Sequence, residues 1–278
     1  MPSAPANGIT IEYETFGDSA SPPVLLIMGL GGQLIRWDTS FCSALADVGY
    51  FVIRFDNRDV GLSTWFDDVA PAPPPYSLVD MANDVAGLLD ALGIRAAHIV
   101  GVSMGGMIAQ TFAIAHPERT LTLVSIMSTT GDRGVGQPTP EALAALMSPR
   151  PATREEAIEL GVKISLVIGS PGYPQDEQRE RDRVAASFDR ANHPQGFARH
   201  LAAINSQPDR TNALASVRVP TLVIHGAADP LVTPSGGQAT VDAVPGARLK
   251  LIPGMGHDLP PELFGDLIDD LSAHFRQI

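Results

Sequence analysis

The chain has 278 residues, 44% hydrophobic and 18% charged, a composition that suits a globular protein with a sizeable core and excludes a disordered one. Its formal net charge of −12 speaks against nucleic acid or anionic membrane as partners, since both need clustered Lys and Arg. Cys42 is the sole cysteine, so no intrachain disulfide can form, and the first eight residues lack the basic start and apolar stretch of a secretory signal; a cytoplasmic protein is expected.

Residues 9–16 alternate apolar and polar side chains, as a half-exposed edge strand does. Residues 24–28 and 51–55 are continuous apolar runs, the pattern of strands buried on both faces. Between them, residues 40–48 can form a helix stopped by Gly49. The proline cluster at 71–75 reads as a loop. Residues 78–92 form an amphipathic helix with Met81, Val85, Leu88, Leu89 and Leu92 on one face and Gly93 as its stop.

Next comes the most informative stretch. Residues 97–100 are a short apolar strand, residues 104–115 a helix ended by Pro117, and Gly101-Val102-Ser103-Met104-Gly105 joins them. Gly-x-Ser-x-Gly between strand and helix is the context in which a serine is held on a sharp, strained turn, with its hydroxyl beside the unpaired amides of a helix N-terminus. The apolar run 99–115 contains three glycines, Ser103 and Gln110, which suit a buried strand and helix better than a membrane span.

Residues 121–127 are a further strand. Turn residues then dominate to Pro140, and helical stretches follow to about Gln207, including a charged one at 175–183 that reads as a solvated face. Strands resume at 221–225 and 248–252, and Leu263, Leu267, Ile268 and Leu271 form the apolar face of a closing helix. The alternation of strand and helix predicts an α/β fold with a mainly parallel sheet: a core of residues 1–128 and 213–278, with a helical insertion at 129–212.

A serine nucleophile needs a base and an orienting acid, and in doubly wound sheets reactive groups gather at the carboxyl ends of strands. Strand 221–225 runs into Asp229, and strand 248–252 runs into His257. The chain order Ser103, Asp229, His257 is the one expected where the nucleophile sits on such a turn. Asp132 competes with Asp229 for the acid, and His225 with His257 for the base; His225, at a strand end, reads as structural. His98, His116, His193, His200 and His274 read as surface or packing residues. Asp56 and Arg58 read as a charge-assisted pair bracing the loop after their strand. The Met104 amide and, from the glycine-rich loop 29–32, the Leu30 amide are the expected donors to a carbonyl oxygen gaining charge. Gly29-Leu30-Gly31-Gly32-Gln33-Leu34 imitates a dinucleotide fingerprint, but Leu34 stands where the third glycine belongs. Metal-ligand spacing is absent and no cofactor is expected.

With these residues in view, the chain resembles the α/β-hydrolase superfamily. The stretches at 27–32, Trp37, 55–63, 101–105 and 252–259 are similar to the group of aclacinomycin methylesterase and related bacterial carboxylesterases. That resemblance implies Ser103, Asp229 and His257 as a catalytic triad, Leu30 and Met104 as oxyanion donors, and a helical cap over them. It implies a carboxylesterase for small to medium esters, with C–C bond hydrolysis or cofactor-free perhydrolysis as alternatives on the same fold. A receptor that keeps the fold without turnover is the alternative of another class. Gly29, Trp37, Met127, Met147, Leu166, Phe188 and Phe197 are candidates to line the substrate pocket, and self-association as a homo-oligomer stays open. One departure is visible: many members carry histidine before the oxyanion-loop glycine, where this chain has Met28.

Overall fold

The computed structural model describes residues 1–70 and 73–278; Pro71 and Ala72, at the head of the expected proline loop, lie outside the described residues. The chain opens with a hairpin. β1 (Ser3–Ala6) and β2 (Ile9–Phe16) pair antiparallel through Asn7-Gly8, whose φ angles of 49° and 79° belong to the two-residue turn that matches strand twist. β2 is therefore not the expected edge: its first half pairs with β1 and its second half with β4 (Phe51–Phe55), also antiparallel. The Asn-Gly pair is the sequence sign of this hairpin.

The remaining strands are β3 (Pro23–Ile27), β5 (Ala97–Val102), β6 (Thr120–Ile126), β7 (Thr221–Gly226) and β8 (Arg248–Ile252). They complete an eight-stranded sheet in the order β1-β2-β4-β3-β5-β6-β7-β8, parallel from β4 onward. Because side chains alternate along a strand, β3 sends Leu25 and Ile27 into one core and Val24 and Leu26 into the other. Each such buried side chain is worth about 1.5–3 kcal/mol, and a slip of one residue would exchange the two faces, so the register is strongly specified.

Helices α2 (Leu78–Ala91) and α3 (Met104–Ala115) close the first core; α1 (Thr39–Asp47) and α10 (Phe264–Phe275) close the second. α2 starts at a reciprocal cap between Ser77 and Asp80, and Gly93 at φ 69° follows its end. Two short helices, α8 (Thr211–Leu214) and α9 (Ser235–Ala243), flank β7 and were not marked by periodicity in the sequence.

Four helices lie between β6 and β7 in sequence: α4 (Pro140–Leu146), α5 (Arg154–Ile168), α6 (Glu177–Arg190) and α7 (Pro194–Ser206). They form the inserted cap. α6 is not only a solvated face, as its charge suggested: Arg179 pairs with Asp38 and Glu180 with Arg36, which fasten it to the segment before α1. Among the described residues, no helix is long and apolar enough to cross a membrane.

The strand order also places the site. From β3 the chain steps to β4 on one side, then crosses to β5 on the other, so β3 and β5 are neighbours whose following loops diverge. The crevice between those loops is where such sheets hold ligands.

Candidate active site

Ser103 follows β5 at φ 56° and ψ −121°, a left-handed backbone that a non-glycine residue adopts only under constraint. Its neighbours explain the glycines around it. A Cβ at Gly101 would come within 2.0 Å of the Gly105 carbonyl oxygen, and one at Gly105 within 2.1 Å of the Ile27 carbonyl oxygen. Strand, turn and helix approach so closely that any side chain there would push them apart.

Asp229 and His257, in the loops after β7 and β8, meet Ser103. His257 Nε2 lies 3.0 Å from Ser103 Oγ, and His257 Nδ1 lies 2.8 Å from Asp229 Oδ2. The other oxygen of Asp229 accepts the Leu231 and Val232 amides at 2.9 and 3.0 Å, which fixes the carboxylate plane. Nδ1 therefore carries the proton towards Asp229, and Nε2 is left to accept from the serine hydroxyl. Asp132 is engaged elsewhere, accepting the Gly134 amide at 2.7 Å. His225 donates through Nε2 to the Val232 carbonyl at 2.7 Å.

The glycine-rich loop after β3 runs alongside. A Cβ at Gly29 would meet Ser103 Cβ at 3.1 Å, so the loop backbone passes directly over the hydroxyl-bearing residue. The Leu30 and Met104 amides have no acceptor among the described residues. With Met28 in place of the common histidine, the loop is held from outside. Asn57 Nδ2 donates to the Met28 carbonyl at 2.9 Å, and the Gly31 amide donates to His200 Nδ1 at 3.3 Å. His200, on α7, then donates through Nε2 to the Arg58 carbonyl at 2.7 Å. Burial brings the His200 pKa down to about 4, which keeps the ring neutral and Nδ1 free to accept. In the sequence His200 reads only as a surface or packing residue, since its partners are 169 and 142 residues away.

Asp56 and Arg58 do not pair with each other. Asp56 accepts the Leu34 and Leu62 amides at 2.7 and 2.9 Å and binds Arg190 of α6 at 2.7 Å, while Arg58 forms a two-pronged pair with Asp84 at 2.6 Å. Their side chains, two positions apart on an irregular segment, each find a geometrically better partner across the fold. The histidine loop is gripped by the cap as well. The His257 amide donates to the Ile168 carbonyl at 2.7 Å, and Ser170 Oγ accepts the Gly256 amide at 2.8 Å while bonding Asp258.

A cavity of about 1050 Å³ opens over Ser103 and His257. Gly29, Trp37, Met127, Phe188 and Phe197 line it; Met147 and Leu166 do not, being 54% and 58% exposed. Helix phase is the reason: α5 turns Leu160, Ile164 and Ile168 inward at four-residue spacing, which carries Leu166 to the opposite side. In α4, Leu146 faces inward and Met147 begins the exit from the helix. Among the described residues no cluster of three or more His, Cys, Asp or Glu side chains could hold a metal ion.

A family model described as the alpha/beta hydrolase fold matches residues 22–262. The chain belongs to that family. It is 33% identical to rhodomycin D methylesterase DauP of a Streptomyces species, over 96% of this chain and 95% of that protein. It is 27% identical to 3-oxoadipate enol-lactonase 2 of Acinetobacter baylyi, covering 98% of this chain and 96% of that protein. In structure it is similar to the enol-lactonase from Burkholderia xenovorans, with a TM-score of 0.74, 23% identity and coverage of 99% and 100%, a likeness of fold. As a member of this family the chain is an α/β-hydrolase-fold enzyme related to esterases, lactonases and meta-cleavage hydrolases.

Proposed function

We propose that the chain is a serine carboxylesterase, needing no cofactor, that cleaves small to medium carboxylic esters through an acyl-enzyme on Ser103. The observation that carries this reading is the unbroken run of hydrogen bonds from Ser103 through His257 to Asp229, facing a cavity with largely apolar walls. As Ser103 Oγ attacks the ester carbon, His257 Nε2 takes its proton, and Asp229 holds the ring and offsets the charge it gains. The carbonyl oxygen becomes negative between the Leu30 and Met104 amides, donors of a kind worth roughly a hundredfold to a thousandfold each. His257 then returns the proton to the leaving alcohol. A water, activated by the same imidazole, releases the acid and restores Ser103.

Residues 129–212 act as the cap on a core made of 1–128 and 213–278. Gly29, Trp37, Met127, Phe188 and Phe197 bound the space for the acyl and alcohol groups. The methylesterase relative is named for cutting a methyl ester, which favours ester over C–C cleavage as the main reaction.

The test is a burst of p-nitrophenol from p-nitrophenyl acetate or butyrate, lost in Ser103→Ala. Well-folded protein that hydrolyses no acyl ester at all would favour a receptor. Consumption of a vinylogous diketone with esters untouched would favour C–C hydrolysis, and peroxide- and acetate-dependent bromination would mark perhydrolysis.

A further inference from the structure

The cavity wall holds a cation with no counter-charge. Arg150, in the segment after α4, lies with its guanidinium carbon 3.8 Å above the centre of the Phe197 ring. Its Nη2 donates to the Leu146 carbonyl at 2.7 Å, its Nε is buried without a partner, and no described carboxylate lies within ion-pair distance of it. Three other arginines of the same cavity are ion-paired and share two carboxylates: Arg36 and Arg183 meet Glu180, and Arg179 meets Asp38. In a chain with 31 acidic and 19 basic residues, Arg150 is half-buried with no acid beside it, whereas Arg133, which also lines the cavity without an ion pair, is exposed and donates to the Asn205 carbonyl. Burial alone acts on it and pulls its pKa below the ordinary arginine value.

Removing a guanidinium from water without an anion to meet it costs free energy, and stacking on an aromatic ring offsets only part of that cost. A ligand anion would offset more. The placement suits one. The Phe197 ring beneath the guanidinium presses on the oxyanion loop, where a Cβ at Gly31 would come within 2.8 Å of Phe197 Cδ2. The positive charge therefore sits one aromatic ring away from the loop that overlies Ser103, on the wall of the same cavity.

We propose that Arg150 is an anion-recognition residue, and that the preferred substrates are esters carrying a second, ionised carboxylate remote from the bond that is cut. The inference rests on the esterase reading for the reaction, and on Arg150 alone for the charge preference. The planar fork of arginine pairs with a carboxylate through two parallel hydrogen bonds, which orients the substrate as well as holding it.

The experiment compares monomethyl with dimethyl esters of succinic, glutaric and adipic acids at neutral pH. For the best chain length, the ratio of kcat/KM for the anionic ester to that for the neutral one falls about tenfold to a hundredfold in Arg150→Met, the range for losing a charge-assisted hydrogen bond. Arg150→Lys keeps the charge and retains part of the preference. Calorimetry of the same monoesters with Ser103→Ala, with and without Arg150→Met, reads the anion site without turnover, and the second substitution weakens binding by a similar factor. A ratio and an affinity unchanged within about twofold by Arg150→Met, or no binding of any monoester to Ser103→Ala, overturn the proposal. Arginine-dependent binding without hydrolysis of any ester by the unaltered protein would uphold the anion site and sink the esterase reading instead.

Discussion

The Gly31 amide and the His200 ring, one on the loop after β3 and the other on cap helix α7, are joined by a 3.3 Å hydrogen bond. Through it the cap reaches the loop that carries the Leu30 amide. His200→Leu leaves both the Gly31 N–H and the Arg58 carbonyl without their partner, at roughly 1–3 kcal/mol each. A fall in denaturation midpoint is expected together with a drop in kcat of about tenfold or more, because the Leu30 amide loses its fixed aim. His200→Gln, which can restore one of the two bonds, should recover part of both. A variant with full kcat and a lowered midpoint would limit His200 to a structural part.

Asp229→Asn separates orientation from charge. An asparagine can still accept the Leu231 and Val232 amides, but it turns its N–H₂ towards His257 Nδ1 and forces the wrong tautomer. By analogy with other serine triads, kcat should fall by about three to four orders of magnitude, with the fold intact by circular dichroism. A fall of less than about tenfold in ester hydrolysis would remove Asp229 from the proposed relay.

Glycines at the turn and on the surface should respond in opposite directions. Gly105→Ala drives a methyl group to 2.1 Å from a carbonyl oxygen and is expected to destabilise by about 3 kcal/mol or more, with activity lost. Gly265→Ala, in the first turn of α10 with nothing within 4 Å of the added carbon, should stabilise by about 0.4–1 kcal/mol. Chemical denaturation of both variants reads the contrast.

Buried imidazoles set part of the acid response. Burial, with a smaller contribution from His274, brings His98 down to about 4, as it does His200. As pH falls through about 6.5 the unfolded chain takes up these protons, while the folded chain does so only near 4. The unfolded state binds more protons across that window, so stability is lost as pH falls, by up to about 3 kcal/mol for each ring, and the loss levels off below 4. Asp84 and Asp258, raised by burial, act in the opposite sense. The check is therefore a difference: midpoints between pH 7 and 4 should fall less steeply in His98→Asn than in the unaltered protein, and equal slopes would contradict this account.

The thiol of Cys42 is fully buried and pushed up to about 12 by burial. It should react with a thiol reagent only at the rate of unfolding. Rapid labelling under native conditions would disprove that.

Much was legible in the sequence because it is local. Apolar periodicity marks β3, β4 and α2, since a strand buried on two faces and a helix buried on one leave distinct spacings in the residues themselves. The turn at Ser103 was legible for a similar reason: Gly101 and Gly105 are required by contacts made within five residues and with the adjoining strand. That Asp229 and His257 would lie near Ser103 was legible because strand ends in a parallel sheet share one edge of the molecule. What only the tertiary structure decided is what the cap touches. Whether α5 turns Ile164 or Leu166 to the cavity depends on helix rotation, which an all-round mixed helix does not specify. That Asp56 takes Arg190 rather than Arg58 and that His200 holds the Gly31 amide are choices of partners more than a hundred residues away, and that Arg150 is left without an acid is settled by the same folding. Charge and hydrogen-bonding capacity are written in each side chain, but the partner is selected by distance and direction, and those exist only once the chain has folded.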